Sequence, residues 1–227
     1  MGLKTRAGRR VLAATLAVAT VGLFGYGTSS LATASPDAAV AHDAAAPKVS
    51  KRAFHDGMRR LWVDHVTWTR LFIVSFAADL PDLQPTTDRL LQNQVDIGDA
   101  IKPFYGKAAG DQLTDLLTDH ILTAAQLLKA AKSNDTVAFD QAKADWYANA
   151  RDIAAFLHQA NPHNWSLADM RMMMRDHLDL TLQEAAQQLG GEYAASIATY
   201  DQVETEILHM ADMLSAGIVA QFPSMFR

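Results

Sequence analysis

"LLTDHILTA", residues 116–124, sets a charged Asp119 and a titratable His120 into a run otherwise made of Leu, Ile, Ala and Thr. The same dipeptide returns as Asp64-His65 in "LWVDHVTWT" (61–69) and as Asp176-His177 in "MMRDHLDLT" (173–181), at intervals of 55 and 57 residues. Neighbouring residues of an α-helix point about 100° apart, so one member of each pair faces the core and the other turns to its flank. The apolar ladders Leu61, His65, Trp68, Phe72, then Leu113, Leu117, His120, Ala124, Leu127, and then Met170, Met173 or Met174, His177, Leu180 or Thr181 put the histidine on the buried stripe each time.

A second signature lies between these. "NQVDI" at Asn93, "NARDI" at Asn149 and "HMADM" at His209 share a polar residue, two spacers, an Asp and an aliphatic residue or Met, at intervals of 56 and 60. Two signatures of one period predict three copies of a helical hairpin. The expected fold is therefore all-α, a six-helix bundle built from three repeated hairpins. No segment alternates as a strand does.

Punctuation bounds the six segments. The first runs from about Phe54 to Asp79 and stops at "PDLQP"; the second begins at an N-cap on Thr86 or Thr87 and reaches Tyr105, with Pro103 in its last turn. The third starts near Asp111 and ends by "KSND", and Asp135 or Thr136 caps the fourth, which ends at "NPHNW". Ser166 with Asp169 has capping-box spacing for the fifth, which Gly190-Gly191 terminates. The sixth spans about Glu192 to Gln221.

Ahead of this domain, "MGLKTRAGRR" carries four basic residues before the apolar run Val11 to Gly27, and Ala32-Thr33-Ala34 offers a small-residue cleavage site. Residues 1–34 thus read as a signal peptide, for the Sec route or, given Arg9-Arg10, the twin-arginine route; an uncleaved anchor is the rival reading. Residues 35–50, Ala-rich with two prolines, read as a flexible tether, and 51–227 as one helical-bundle domain. Cleavage removes four of 20 basic residues and none of 25 acidic ones, leaving a formal charge of 16 − 25 = −9. An acidic mature chain of that kind is unsuited to nucleic acid, and no membrane span is expected in it. The oligomeric state is left open by the sequence.

With no cysteine in the chain, a metal site must use imidazole, carboxylate, amide or thioether. On the even helices, residues three apart share a face, so Asn93 with Asp96, Asn149 with Asp152, and His209 with Asp212 are each expected to meet the histidine of the partner helix. The expected metal ligands are His65, His120, His177, His209, Asp212, Glu206, Asp96 and Asp152, with Asn93 and Asn149 as ligand-binding residues. Burying so many ionisable groups without a proton or cation is costly, which points to a divalent transition metal, Zn, Fe, Cu or Ni, or a small ligand held through it. Two geometries are open: Glu206, His209 and Asp212 opposite His177, or a three-imidazole site of His65, His120 and His177 around a pseudo-threefold axis. Glu206-x-x-His209 is half of a di-iron carboxylate motif, but the chain has no second half. "MRMMM" (170–174) is read first as adaptable core filler rather than as copper ligands.

The alternative is a metal-free structural or interaction protein of the cell envelope, in which His-Asp/Asn pairs specify packing alone. No phosphate-binding loop, nucleophile elbow or His-Glu-x-x-His is present, so phosphoryl transfer and serine hydrolysis have no visible machinery; enzymatic activity is otherwise left open.

"LWVDHVTWTR", "NQVDIGDAIKPFYG", "NARDIAAFLHQANP" and "HMADMLSAGIVAQFP" resemble a family of small, functionally uncharacterised bacterial proteins over about residues 57 to 224. Some members carry the labels acetylglutamate kinase or glycosyltransferase by name transfer. The resemblance implies no catalytic residue, and both labels belong to α/β enzymes with glycine loops that this sequence lacks.

Overall fold

The computed structural model describes residues 48–227; the expected signal peptide and all but the last three residues of the expected tether lie outside the described residues. Five α-helices follow one another: α1 Lys51–Ala77, α2 Leu83–Ser133, α3 Thr136–Ala160, α4 Leu167–Leu189 and α5 Tyr193–Gln221, with a 3-10 turn at Pro223–Met225. There is no strand among the described residues, only a single parallel bridge between Val49 and Phe226.

Five elements stand where six segments are expected because the second and third segments join without a loop in α2, whose two helical arms meet at a kink. Its backbone leaves helical geometry only at Gly106, where φ is 83°, a left-handed value that favours glycine. Three residues earlier, Pro103 cannot donate to the helix ladder, so the two features bend the element at one place. Its two arms then run antiparallel in close contact: Gly98 faces Gly110, and Thr114 Oγ1 lies 3.5 Å from the carbonyl oxygen of Gln94. A Cβ on Gly98 would stand 2.6 Å from the Gly110 carbonyl oxygen, and one on Gly110 equally close to that of Gly98, so only two glycines allow this approach.

The helix starts follow local chemistry. Ser50 accepts from Ala53 N at 3.3 Å, Asp135 from Ala138 N at 3.0 Å, and Ser166 from Asp169 N at 3.1 Å while donating to the Asp169 carboxylate. The start of α2 differs from expectation: it begins at Leu83, placing Pro85, Thr86 and Thr87 in its first turns, where a proline needs no amide hydrogen. Thr87 then bonds back to the Leu83 carbonyl instead of capping. Val49 and Ser50, assigned to the tether by composition, belong to the fold, since Val49 pairs with Met225 and Arg227 through backbone bonds of 2.9 and 3.0 Å.

The helices close into a ring, α1 on α2, α2 on α3, α3 on α4, α4 on α5 and α5 back on α1. The core has a large cluster that includes Trp62, Ile97, Leu117, Ile153, Met170 and Ile207, and a smaller one formed by Phe72, Ile73, Leu90, Ile121, Leu128 and Ala185. One end is closed by aromatics, with Phe226 stacked on Phe104 at 5.4 Å and Phe54 5.2 Å away. No helix among the described residues is long and apolar enough to cross a membrane.

Contact between the arms of α2 predicts opposite effects for two similar substitutions. Gly98→Ala should cost about 1–3 kcal/mol of unfolding free energy by overpacking. Gly57→Ala, in α1 with nothing within 4 Å of the added methyl, should gain about 0.5–1 kcal/mol. Urea unfolding of both variants measures the difference, and equal effects would contradict the close approach.

Candidate functional site

Three histidines from three helices meet in the bundle. His65 of α1, His120 of the second arm of α2 and His177 of α4 are 3%, 3% and 5% exposed, and all line one cavity of about 30 Å³. The ring of His177 lies 5.8 Å from that of His65 and 6.3 Å from that of His120. Apolar residues such as Ile97, Leu117, Ile153, Met174 and Met210 form most of the remaining wall. The space is sufficient for about one water.

Each imidazole has a different polar neighbour. His120 Nδ1–H donates to Asn149 Oδ1 at 2.9 Å, and the Asn149 amide donates to the Leu116 carbonyl at 3.0 Å. This bond fixes the tautomer of His120 and leaves its Nε2 with a lone pair. Asn93 donates in the same way to the Leu61 carbonyl at 3.0 Å, so both asparagines cap the carbonyl four residues before a histidine. His65 Nδ1, by contrast, is buried with no hydrogen-bond partner among the described residues, as is Oε1 of the adjacent Gln94. His177 Nδ1 donates to Glu206 Oε2 at 3.2 Å.

Burial pushes the basicity of His65 well below the ordinary histidine value, and the nearby His177 and His120 push it further, against a smaller opposing effect of Gln94 and Asn93. Burial, then His177, brings His120 down to about 3. Both rings are therefore neutral at physiological pH, the form in which an imidazole binds a metal.

Beside the histidines lies a feature that the sequence reading missed. Glu184, 1% exposed on α4, bonds Arg70 of α1 at 2.7 Å, and Arg70 also reaches Ser196 Oγ at 3.2 Å and stacks over Tyr200 at 5.1 Å. Burial raises the Glu184 carboxyl, while Arg70 and then His177 oppose the rise. Glu184 follows His177 by seven residues, two turns along the same stripe, which is the spacing that could have revealed it.

The other expected ligands fall elsewhere. His209 and Asp152 are exposed, and Asp96 and Asp212 are about two-fifths exposed on the surface. Asp96 is bonded by Gln92 and lies 3.8 Å from Arg89; Asp212 is held by Arg59 and by His55 Nε2, each at 2.8 Å. The physical reason is the helix period: the stripe position after Asn93 is Ile97, after Asn149 it is Ile153, and after Glu206 it is Met210, so residues at +3 lie off the packed edge. The third copy of the polar signature is corrected accordingly. Glu206, not His209, stands opposite His177, and the intervals from Asn93 to Asn149 to Glu206 are 56 and 57, matching those of the histidines where the 60 to His209 did not. The flanking aspartates behave as expected: Asp119 and Asp176 are exposed, and Asp64 lies 3.4 Å from Arg89.

Among the described residues no set of three or more His, Asp or Glu side chains already has the arrangement of a bound metal's ligands. Three imidazoles on one zinc, with Zn–N near 2.0–2.1 Å, have ring centres about 5 Å apart. The observed separations of His177 from His65 and His120, 5.8 and 6.3 Å, are about an ångström longer than in such a site. No family model, curated protein or solved structure matches the chain.

The depressed basicity of His65 and His120 makes acid destabilising. In the unfolded chain each binds a proton near pH 6.5, while in the fold it does not until far lower pH, so stability is full above that value and falls as pH drops. Between pH 6.5 and 5, above the range of ordinary carboxylates, each histidine should remove roughly 1 kcal/mol per pH unit. Urea unfolding across this window should show the slope, and His120→Gln should make it shallower; a flat profile would contradict the neutral, buried state.

Proposed function

We propose that the chain is an exported, all-helical protein of three repeated hairpins whose core imidazoles bind a divalent transition metal, with His65, His120 and His177 as ligands. The observation that carries this reading is the convergence of three histidines, one from each expected hairpin, on a single buried cavity. The Asn149 bond supports it by presenting Nε2 of His120 as a lone pair, and the orphaned Nδ1 of His65 supplies a donor with no protein partner. Glu206, on His177, would compensate cationic charge from the second layer of groups. A three-imidazole set suits Zn, Cu, Ni or Fe and leaves a fourth position for a water or small ligand in the cavity.

The repeat itself is part of the proposal: the matching asparagine bonds to Leu61 and Leu116 support a common ancestor for the first two hairpins. Those same bonds favour a second reading, in which the polar layer sets helix register in a metal-free envelope protein. The signal-like leader supports export under either reading.

Elemental analysis of protein from its native host, compared with a His120→Gln/His177→Gln double variant, separates the two. The metal reading expects about one equivalent in the natural protein and its loss in the variant, with helicity retained by circular dichroism. Titration of metal-free protein with zinc and copper salts should raise the thermal midpoint of the natural chain alone. Equal metal content, or no stabilisation of either protein, would overturn the metal site and leave the packing role.

A further inference from the structure

Outside the histidine chamber, the face between α3 and α4 carries a groove of about 310 Å³ lined by Tyr147, Ala150 and Arg151 from α3 and by Arg171, Met174 and Arg175 from α4. Nine arginines lie in residues 48–227, and four of them, Arg52, Arg59, Arg70 and Arg89, make ion pairs. Of the other five, three share this one groove.

The chain holds 25 acidic residues against 20 basic ones, so carboxylate partners are plentiful. The sequence nevertheless withholds them here. Four residues before and after Arg151 stand Tyr147 and Ala155, and around Arg171 stand Leu167 and Arg175, so neither has a carboxylate at ion-pair spacing along its helix. Arg175 does have Asp179 one turn on, but that carboxylate is engaged by the Tyr147 hydroxyl. Arg171 and Arg175, like charges one turn apart, repel each other, and Arg151 adds a third guanidinium across the groove. Such an arrangement costs stability unless an anion fills it.

The geometry points to a binding site in this groove for a small multivalent oxyanion, of the phosphate or polycarboxylate class. Planar guanidiniums from two helices offer paired N–H donors to oxygens on opposite sides of one ligand. The ring of Tyr147 and the side chains of Ala150 and Met174 give it an apolar floor. Met174 also lines the histidine cavity, so the two spaces share a wall. The site does not depend on a metal being bound there.

Isothermal titration calorimetry on the full chain, freed of metal by dialysis against a chelator, tests it with pyrophosphate, inorganic phosphate and citrate at constant ionic strength set by chloride. At least one of the three should bind with about 1:1 stoichiometry. Arg171→Gln/Arg175→Gln should weaken that binding by about tenfold or more for each guanidinium removed. Arg151→Gln should weaken it by about tenfold. Arg60→Gln, which removes an arginine outside the groove with no ion pair among the described residues, should leave it unchanged. Preference for pyrophosphate over citrate would assign the phosphate class, and the reverse the polycarboxylate class. Absence of binding of all three at millimolar concentration, or equal weakening by Arg60→Gln, would overturn the site. These exposed positions should leave the thermal midpoint without anion unchanged or slightly raised.

Discussion

An imidazole buried among aliphatic side chains must stay neutral or meet a counter-charge, and this chain buries three in one place. That constraint explains the polar residues around them. Asn149 takes the proton-bearing nitrogen of His120, and Glu206 takes that of His177. Each contact joins two helices, so satisfying a ring nitrogen also sets how far one helix can slide along the next. A one-turn slip of α3 against α2 would separate Asn149 from both His120 and the Leu116 carbonyl. The same logic governs Glu184, whose burial is sustained by Arg70 and Ser196 tying α4 to α1 and α5.

Bringing the rings together depends on the backbone as much as on the side chains. Gly106 and Pro103 bend α2, and the glycine pair at 98 and 110 lets its arms lie in close contact, so that Asn93 and His120 enter one core from one element. Packing of α5 on α4 then brings Glu206 within reach of His177. The aromatic cluster of Phe54, Phe104 and Phe226 packs one end of the bundle and ties Phe226 to α1 and α2.

The helical period made much of this legible. Placing His65, His120 and His177 on buried stripes and the adjacent aspartates on the flank needed only the 100° step between neighbours. The polar signature was harder, because an aspartate three residues on looks equivalent in a linear pattern but points off the packed edge. Asp96, Asp152 and Asp212 went to the surface for that reason, while Ile97 and Ile153 took the core positions. His209 was drawn in by its chemistry, although its interval of 60 departed from the period that Glu206 keeps. Glu184 keeps the His177 stripe two turns on, but its pairing with Arg70 across distant helices leaves no local pattern.

By itself the sequence determined that the described chain is helical, where its core stripes lie and that His65, His120 and His177 face inward, because these follow from periodicity and capping within single segments. Only the tertiary structure decided that the three rings share one cavity, that Glu206 rather than His209 serves the third, and that the two arms of α2 join at Gly106 without a loop and fold back on each other. Those outcomes depend on which helices are neighbours and at what height they meet, and such distances are fixed by packing across the bundle, not by any one stretch of chain.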